Sequence, residues 1–308
     1  MTRRRSVTAA AALAAALLAA CDLQEKGGPR AAYPYCAAFV KGDTLVAFPF
    51  DAEKATVTLP FVPARLSYSR DGKSLYADRQ YPDRRAGISR IDLRSGKVTA
   101  VPGSADLFAH SFAVSPDGGK IVISGRYRKG DGEQCGIFEL SGATGAVRRV
   151  PVPDNLDCDY QYTWHDLSLS PDGGRAVAFR QVGVEPEIEL IDLILGTVTS
   201  LGRGSRAAWS PDGKWIAVLD YSTNYAITVM DPGDPSKRRG FGGTGDQELS
   251  WSPDSRYLLL WKPCLLSLGY FGTLEALDVE NGKRETIRSS RCAVNLMTSG
   301  WVSNEVIR

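Results

Sequence analysis

Six positions share one offset along this 308-residue chain. Arg65, Ser111, Asp166, Arg206 and Glu248 each stand four residues ahead of a serine that opens a recurring turn. Thr298 takes the same place when Trp301 is aligned with Trp209 and Trp251. Two guanidiniums and two carboxylates brought to one level of a fold can hold a polar or zwitterionic segment, or they can neutralise one another. They are poorly suited to hydrolysis or elimination, which needs converging acids, Asn or His and a base of shifted pKa; here Arg206 stands between the two acids. Only two histidines exist, His110 and His165, so a multi-His metal centre is excluded. No GxSxG elbow, HExxH or P-loop occurs. Gly240–Gly245 matches GxGxxG, but GDQELSW follows it where a nucleotide-binding helix would have to start, so it reads as a loop.

A second candidate set lies in the longer connections. The run Asp157–Asp166 contains Tyr160, Tyr162 and Trp164 among acids and ends in His165-Asp166. Arg126-Tyr127-Arg128-Lys129 and Asp83-Arg84-Arg85 add basic groups, and Leu265–Phe271 adds an apolar stretch. Tyr, Trp and Arg carry contact energy at interfaces. His110, Arg126, Tyr127, Tyr160, Tyr162, Trp164 and His165 are therefore candidates for partner contact on a loop face, the alternative being that they cover sheet edges.

The elements that must position these residues come from internal repetition. Ser69-Arg70-Asp71-Gly72 recurs as Ser115-Pro116-Asp117-Gly118, Ser170-Pro171-Asp172-Gly173, Ser210-Pro211-Asp212-Gly213 and Ser252-Pro253-Asp254-Ser255. The serines are 46, 55, 40 and 42 residues apart. Periods near 40 with strand-like flanks indicate propeller blades of four strands each. Pro presets φ, Asp or Ser bonds back to backbone amides, and Gly accepts the positive φ that closes a hairpin. These repeats resemble the WD40-like PD40 repeats of TolB-type propellers in exported bacterial proteins, over about residues 33–308. The resemblance implies an all-β propeller and no single activity. TolB-type proteins carry an α/β domain ahead of the propeller, whereas here a short tether precedes the first strand, so their partners are not carried over.

Cys36–Val40, Thr44–Phe50 and Ala55–Phe61 read as strands with no turn of this kind before them, and Leu296–Trp301 reads as a strand near the other end. Pairing the two ends removes an open sheet edge. Five full blades plus one composite predict six four-stranded blades, with seven as the alternative if the 55-residue interval holds a degenerate one. On each inner strand the first and third residues back from the turn serine are mostly apolar, such as Leu249 and Trp251, and should pack between blades. The second positions are small (Ser67, Ala113, Ser168, Ala208, Ser250 and Gly300) and suit a crowded axis. The fourth, Arg65 to Thr298, should ring the channel mouth.

Residues 1–20 carry Arg3, Arg4 and Arg5 ahead of a fourteen-residue apolar run, too short to span a bilayer, and read as a signal peptide. Leu18-Ala19-Ala20-Cys21 resembles the bacterial lipobox, which implies lipidation of Cys21, a tether over 21–32 and a membrane-anchored lipoprotein of the cell envelope facing the periplasm. Without the first twenty residues the net charge falls from +2 to −1, which gives no general attraction to nucleic acid. The remaining five cysteines lack C-x₂-C spacing. In an oxidising compartment blade register pairs Cys135 with Cys158 and Cys264 with Cys292, each as third-strand start and following loop. The expectation is a non-catalytic module with no cofactor, binding a protein, peptide or glycan. The alternative is a hydrolase or lyase acting at the channel.

Overall fold

A computed structural model describes residues 35–41, 43–48, 55–63, 65–69, 71–80, 86–130, 132–153, 163–182, 185–220, 226–242, 248–263, 272–290 and 299–303. The fold grows from the repeated turn. In each copy the serine hydroxyl donates to the Asp two residues on and accepts the amide five residues on. For Ser170 these bonds measure 2.5 Å to Asp172 and 2.9 Å from Arg175; Ser69, Ser115 and Ser210 do the same. The Asp in turn accepts the next amide but one, and the residue after it sits at positive φ: Gly72, Gly118, Gly173 and Gly213 at 65° to 79°. Ser255 fills that place in the last copy at φ 62°, a cost most residues other than Gly avoid.

Each turn joins an inner strand to the next one out. One four-stranded sheet is β4 (Arg65–Tyr68), β5 (Ser74–Gln80), β6 (Ala86–Asp92) and β7 (Val98–Ala100); a 3₁₀ turn, Ser104–Asp106, leads on from it. The next is β8 (Leu107–Val114), β9 (Lys120–Lys129), β10 (Gly132–Ser141) and β11 (Val147–Arg149). Then come β12 (Trp164–Leu169), β13 (Arg175–Val182), β14 (Glu185–Asp192) and β15 (Val198–Arg203), followed by β16 (Arg206–Trp209), β17 (Ile216–Asp220), β18 (Ala226–Met230) and β19 (Arg238–Phe241). The last block is β20 (Glu248–Trp251), β21 (Tyr257–Pro263), β22 (Gly272–Asp278) and β23 (Arg284–Ser290).

The expected count of six blades, or seven, is corrected to five built as continuous four-strand blocks. The 55-residue interval holds no extra blade among the described residues; β9 and β10 take up length with ten residues each. The end strands make no such block of their own. β24 (Ser299–Ser303) pairs antiparallel with β1 (Tyr35–Lys41), and β2 (Thr44–Phe48) and β3 (Ala55–Thr58) complete the composite sheet β24-β1-β2-β3.

The core lies between sheets rather than inside one layer. Val122, Ile137 and Val150 of one blade pack with Trp164, Ala176 and Ile191 of the next, and Val177 and Ile188 pack with Trp209 and Ile216 in the following junction. Alternation on the inner strands produces this: Leu66, Phe112, Leu167, Ala207 and Trp251 are all buried. Polar ties cross the same seams. The Ser168 hydroxyl accepts the Trp209 amide at 2.9 Å, and the Trp251 indole donates to the Ala208 carbonyl at 2.9 Å.

Replacing Ser170, which is 1% exposed, with Ala strands the Arg175 amide and frees Asp172. The expected loss is about 1–2 kcal/mol in denaturant unfolding. An unchanged midpoint would show that the hydroxyl does not hold the turn.

Candidate functional site

The inner strands β4, β8, β12, β16 and β20 surround an open channel of about 510 Å³. Arg65, Ser111, Asp166, Arg206 and Glu248 all line it; Thr298 lies outside the described residues. Four of the fourth-position residues thus bring charge to one cavity.

Their pairing is specific. The Arg206 guanidinium bridges two neighbouring strands, with Nη1 donating to the Asp166 carboxylate and Nη2 to Glu248 Oε1 at 3.2 Å. Asp166 reaches Arg206 from a left-handed backbone, φ 49°, at a bulge where the β12–β13 register shifts between His165 and Ser168. Bulges re-aim side chains, and a non-glycine residue held in this region stores strain that the surroundings must impose. Arg65 is separately engaged. Its Nε donates to the His110 carbonyl at 2.6 Å, and its amide and Nη1 donate to Asp78 at 2.6 and 3.2 Å, with Asp78 fully buried. Ser111 faces the seam: its hydroxyl accepts the Leu167 amide at 2.9 Å.

Burial pushes the Glu248 carboxyl up to about 7, with Asp166 adding to the shift and Arg206 opposing it. Ionisation of Glu248 near neutrality therefore adds one negative charge to the channel.

Two residues at this site escaped sequence reading. Asp78 is the cross-strand partner of Arg65, a relation that counting outward from the Ser69–Ser74 turn would have supplied. Phe179 lies opposite His165 in register, stacks on it at 5.1 Å, and sits under the Arg206 guanidinium at 5.8 Å.

The loop-face set is redistributed. His110 and His165 are buried on inner strands and line the channel, because the register shifts of β8 (between Ala109 and Ser111) and β12 turn them inward. Trp164 is 2% exposed; its indole donates to Glu189 at 2.5 Å beneath the Arg180 guanidinium, so it serves the core. Arg126 pairs with Glu133 at 3.2 Å, and Tyr127 packs on Phe138 at 5.7 Å. Tyr160, Tyr162, the Asp83–Arg85 segment and Leu265–Phe271 lie outside the described residues, as do Cys21, Cys158, Cys264 and Cys292. Cys135 is disulfide-bonded.

No family model matches this chain, and no curated protein matches it. Among solved structures, TolB from Acinetobacter baumannii is similar at TM-score 0.66 and 18% identity, covering 90% of this chain and 68% of that one. A chain of the nidogen/laminin complex is similar at 0.62 and 14%, covering 87% and 98%. An oligogalacturonate lyase in complex with manganese is similar at 0.51 and 16%, covering 84% and 73%. Proteins as different as these share an architecture, and at these identities the likeness shows the fold alone: a TolB-like β-propeller.

Proposed function

We propose that this chain is a non-catalytic envelope lipoprotein whose propeller binds a protein, peptide or glycan partner at the channel mouth. The observation that carries this reading is the Asp166–Arg206–Glu248 bridge in an open channel, with Asp166 held in a strained conformation to complete it. A similar propeller occurs in the nidogen/laminin complex, which supports a protein partner. The lyase or hydrolase alternative is less well supported. Among the described residues no three His, Cys, Asp or Glu side chains gather as a metal site, and Arg206 engages both channel carboxylates it would need as base or ligand. The pairing of Cys135 with Cys158 and of Cys264 with Cys292 belongs to the same reading, since both bridges would brace loops on the mouth face.

Partner binding is tested by crosslinking in intact cells and affinity purification, comparing the original chain with Asp166→Asn and with Lys214→Ala on the opposite face. Loss of the same crosslinked species in Asp166→Asn alone, at an unchanged Tm, is the expected result. A lowered Tm with capture intact would leave the bridge a purely structural device.

The raised Glu248 pKa gives a second expectation. The folded state binds this proton more tightly than an unfolded chain, whose carboxyl titrates near 4.5. The stabilisation is therefore complete below about 4.5 and is lost as pH rises to about 7, a span on the order of 3 kcal/mol. Glu248→Gln should flatten Tm across that interval. A parallel pH dependence in both proteins would remove Glu248 as its source.

Anchoring rests on Leu18–Cys21. No described helix is long and apolar enough to cross a membrane. Cys21→Ala should move the protein from the membrane fraction to the soluble one; retention at the membrane would reject lipidation as the anchor.

A further inference from the structure

The two faces of the propeller differ in a way the channel does not explain. Each inner strand runs from the mouth to its Ser-Asp turn, the second strand returns, and the third descends again. The turn between third and fourth strands therefore lies on the same face as the Ser-Asp turns. In four blades this outer turn is polar or small: Arg94-Ser95, Ala143-Thr144, Gly233-Asp234 and Glu280-Asn281. Between β14 and β15 it is Ile194-Leu195, and these side chains are 69% and 70% exposed.

The apolar pair is rigidly presented. The amides of Ile194 and Leu195 both donate to Asp192 Oδ1, at 2.8 and 2.7 Å, so the backbone chemistry of the turn is met without the side chains. Arg148 of the adjacent blade donates to the Leu193 carbonyl at 3.0 Å. Gly196, at φ 72°, presses so closely on the Pro151 carbonyl that a Cβ would lie 2.0 Å from it. Val98, 39% exposed, opens an outer strand on the same face. Val62, in the connection from β3 to β4, belongs to the mouth face and is 60% exposed.

Register places the chain's entry on the turn face as well. Tyr35 pairs with Ser303 at the end of β24, as Tyr68 pairs with Leu75 beside the Ser-Asp turn. Cys21 is fourteen residues from Tyr35, a distance of about 20 Å for a coil and at most about 50 Å for any chain. Strands of seven to ten residues put the mouth roughly 23–33 Å farther off.

We infer that the turn face lies against the lipid bilayer, with Ile194 and Leu195 inserted at the headgroup boundary and the channel mouth facing away. This rests on the lipidation of Cys21 proposed above and specifies the orientation it imposes. A short apolar protrusion adds the second membrane contact that keeps an anchored domain from tumbling on its tether.

The test is hydroxyl-radical footprinting of the full, lipidated chain in phosphatidylethanolamine–phosphatidylglycerol vesicles, against the Cys21→Ala chain in solution. Oxidation of Ile194 and Leu195 should fall at least about fivefold on vesicles while Val62 is oxidised equally in both. In the I194S/L195S double variant the chain should still sediment with vesicles, but Val98 should lose its protection. Equal oxidation of both faces on vesicles, protection of Val62, or a still-protected Val98 in the double variant would each overturn the orientation while leaving the anchor intact. A lipidated chain that fails to sediment would instead overturn the anchor, and the orientation with it.

Discussion

A serine hydroxyl placed to satisfy two neighbours at once is the interaction on which this molecule depends. It accepts the first amide of the second strand and donates to the turn aspartate, and so fixes where each inner strand ends. Side chains alternate with a strict period of two, so fixing that end decides which residues face the channel and which the seams. Ser115 and Ser170 also lower the Asp117 and Asp172 carboxyls from their ordinary values, with the Gly119 and Gly174 amides assisting. The turn is thus both a ruler and a fixed negative charge.

From that ruler follows the composition of the channel. A guanidinium that spans β12, β16 and β20 joins three sheets that otherwise meet in pairs, through apolar seams and the Ser168–Trp209 and Trp251–Ala208 hydrogen bonds. It holds two carboxylates that would repel each other without it, and Glu248 titrates near physiological pH. Arg65 does comparable work across the β4–β8 seam, but with the buried Asp78 as its counter-ion. The channel therefore joins tightly matched charge on one side to titratable charge on the other.

How much of this was legible depends on the range of the physics involved. Arg65, Asp166, Arg206 and Glu248 could be placed by counting, because only the turn serine and strand alternation were needed. His110 and His165 could not, since a bulge shifts register by an amount that no local pattern announces. Trp164 sits in an aromatic, acidic run that reads like an interface. Its burial is decided by Glu189 and Arg180 on other strands. Turn spacing left the blade count open because it cannot separate an added blade from longer strands, whereas the pairing of the two ends was legible from strands that no such turn precedes.

That assembled sheet has a kinetic consequence. Pairing Tyr35 with Ser303 makes the most distant contact in sequence also the one that seals the ring. Until β24 docks, β1 presents a row of unpaired amides and carbonyls, and the hydrophobic seams beside it remain half built. Neighbouring blades can form from local hairpins, but completion must wait for a long loop closure, which slows the last step far more than it weakens the product. The interval before closure is when a second copy could supply the missing strand, so crowding of newly made chains would favour exchanged dimers over closed monomers.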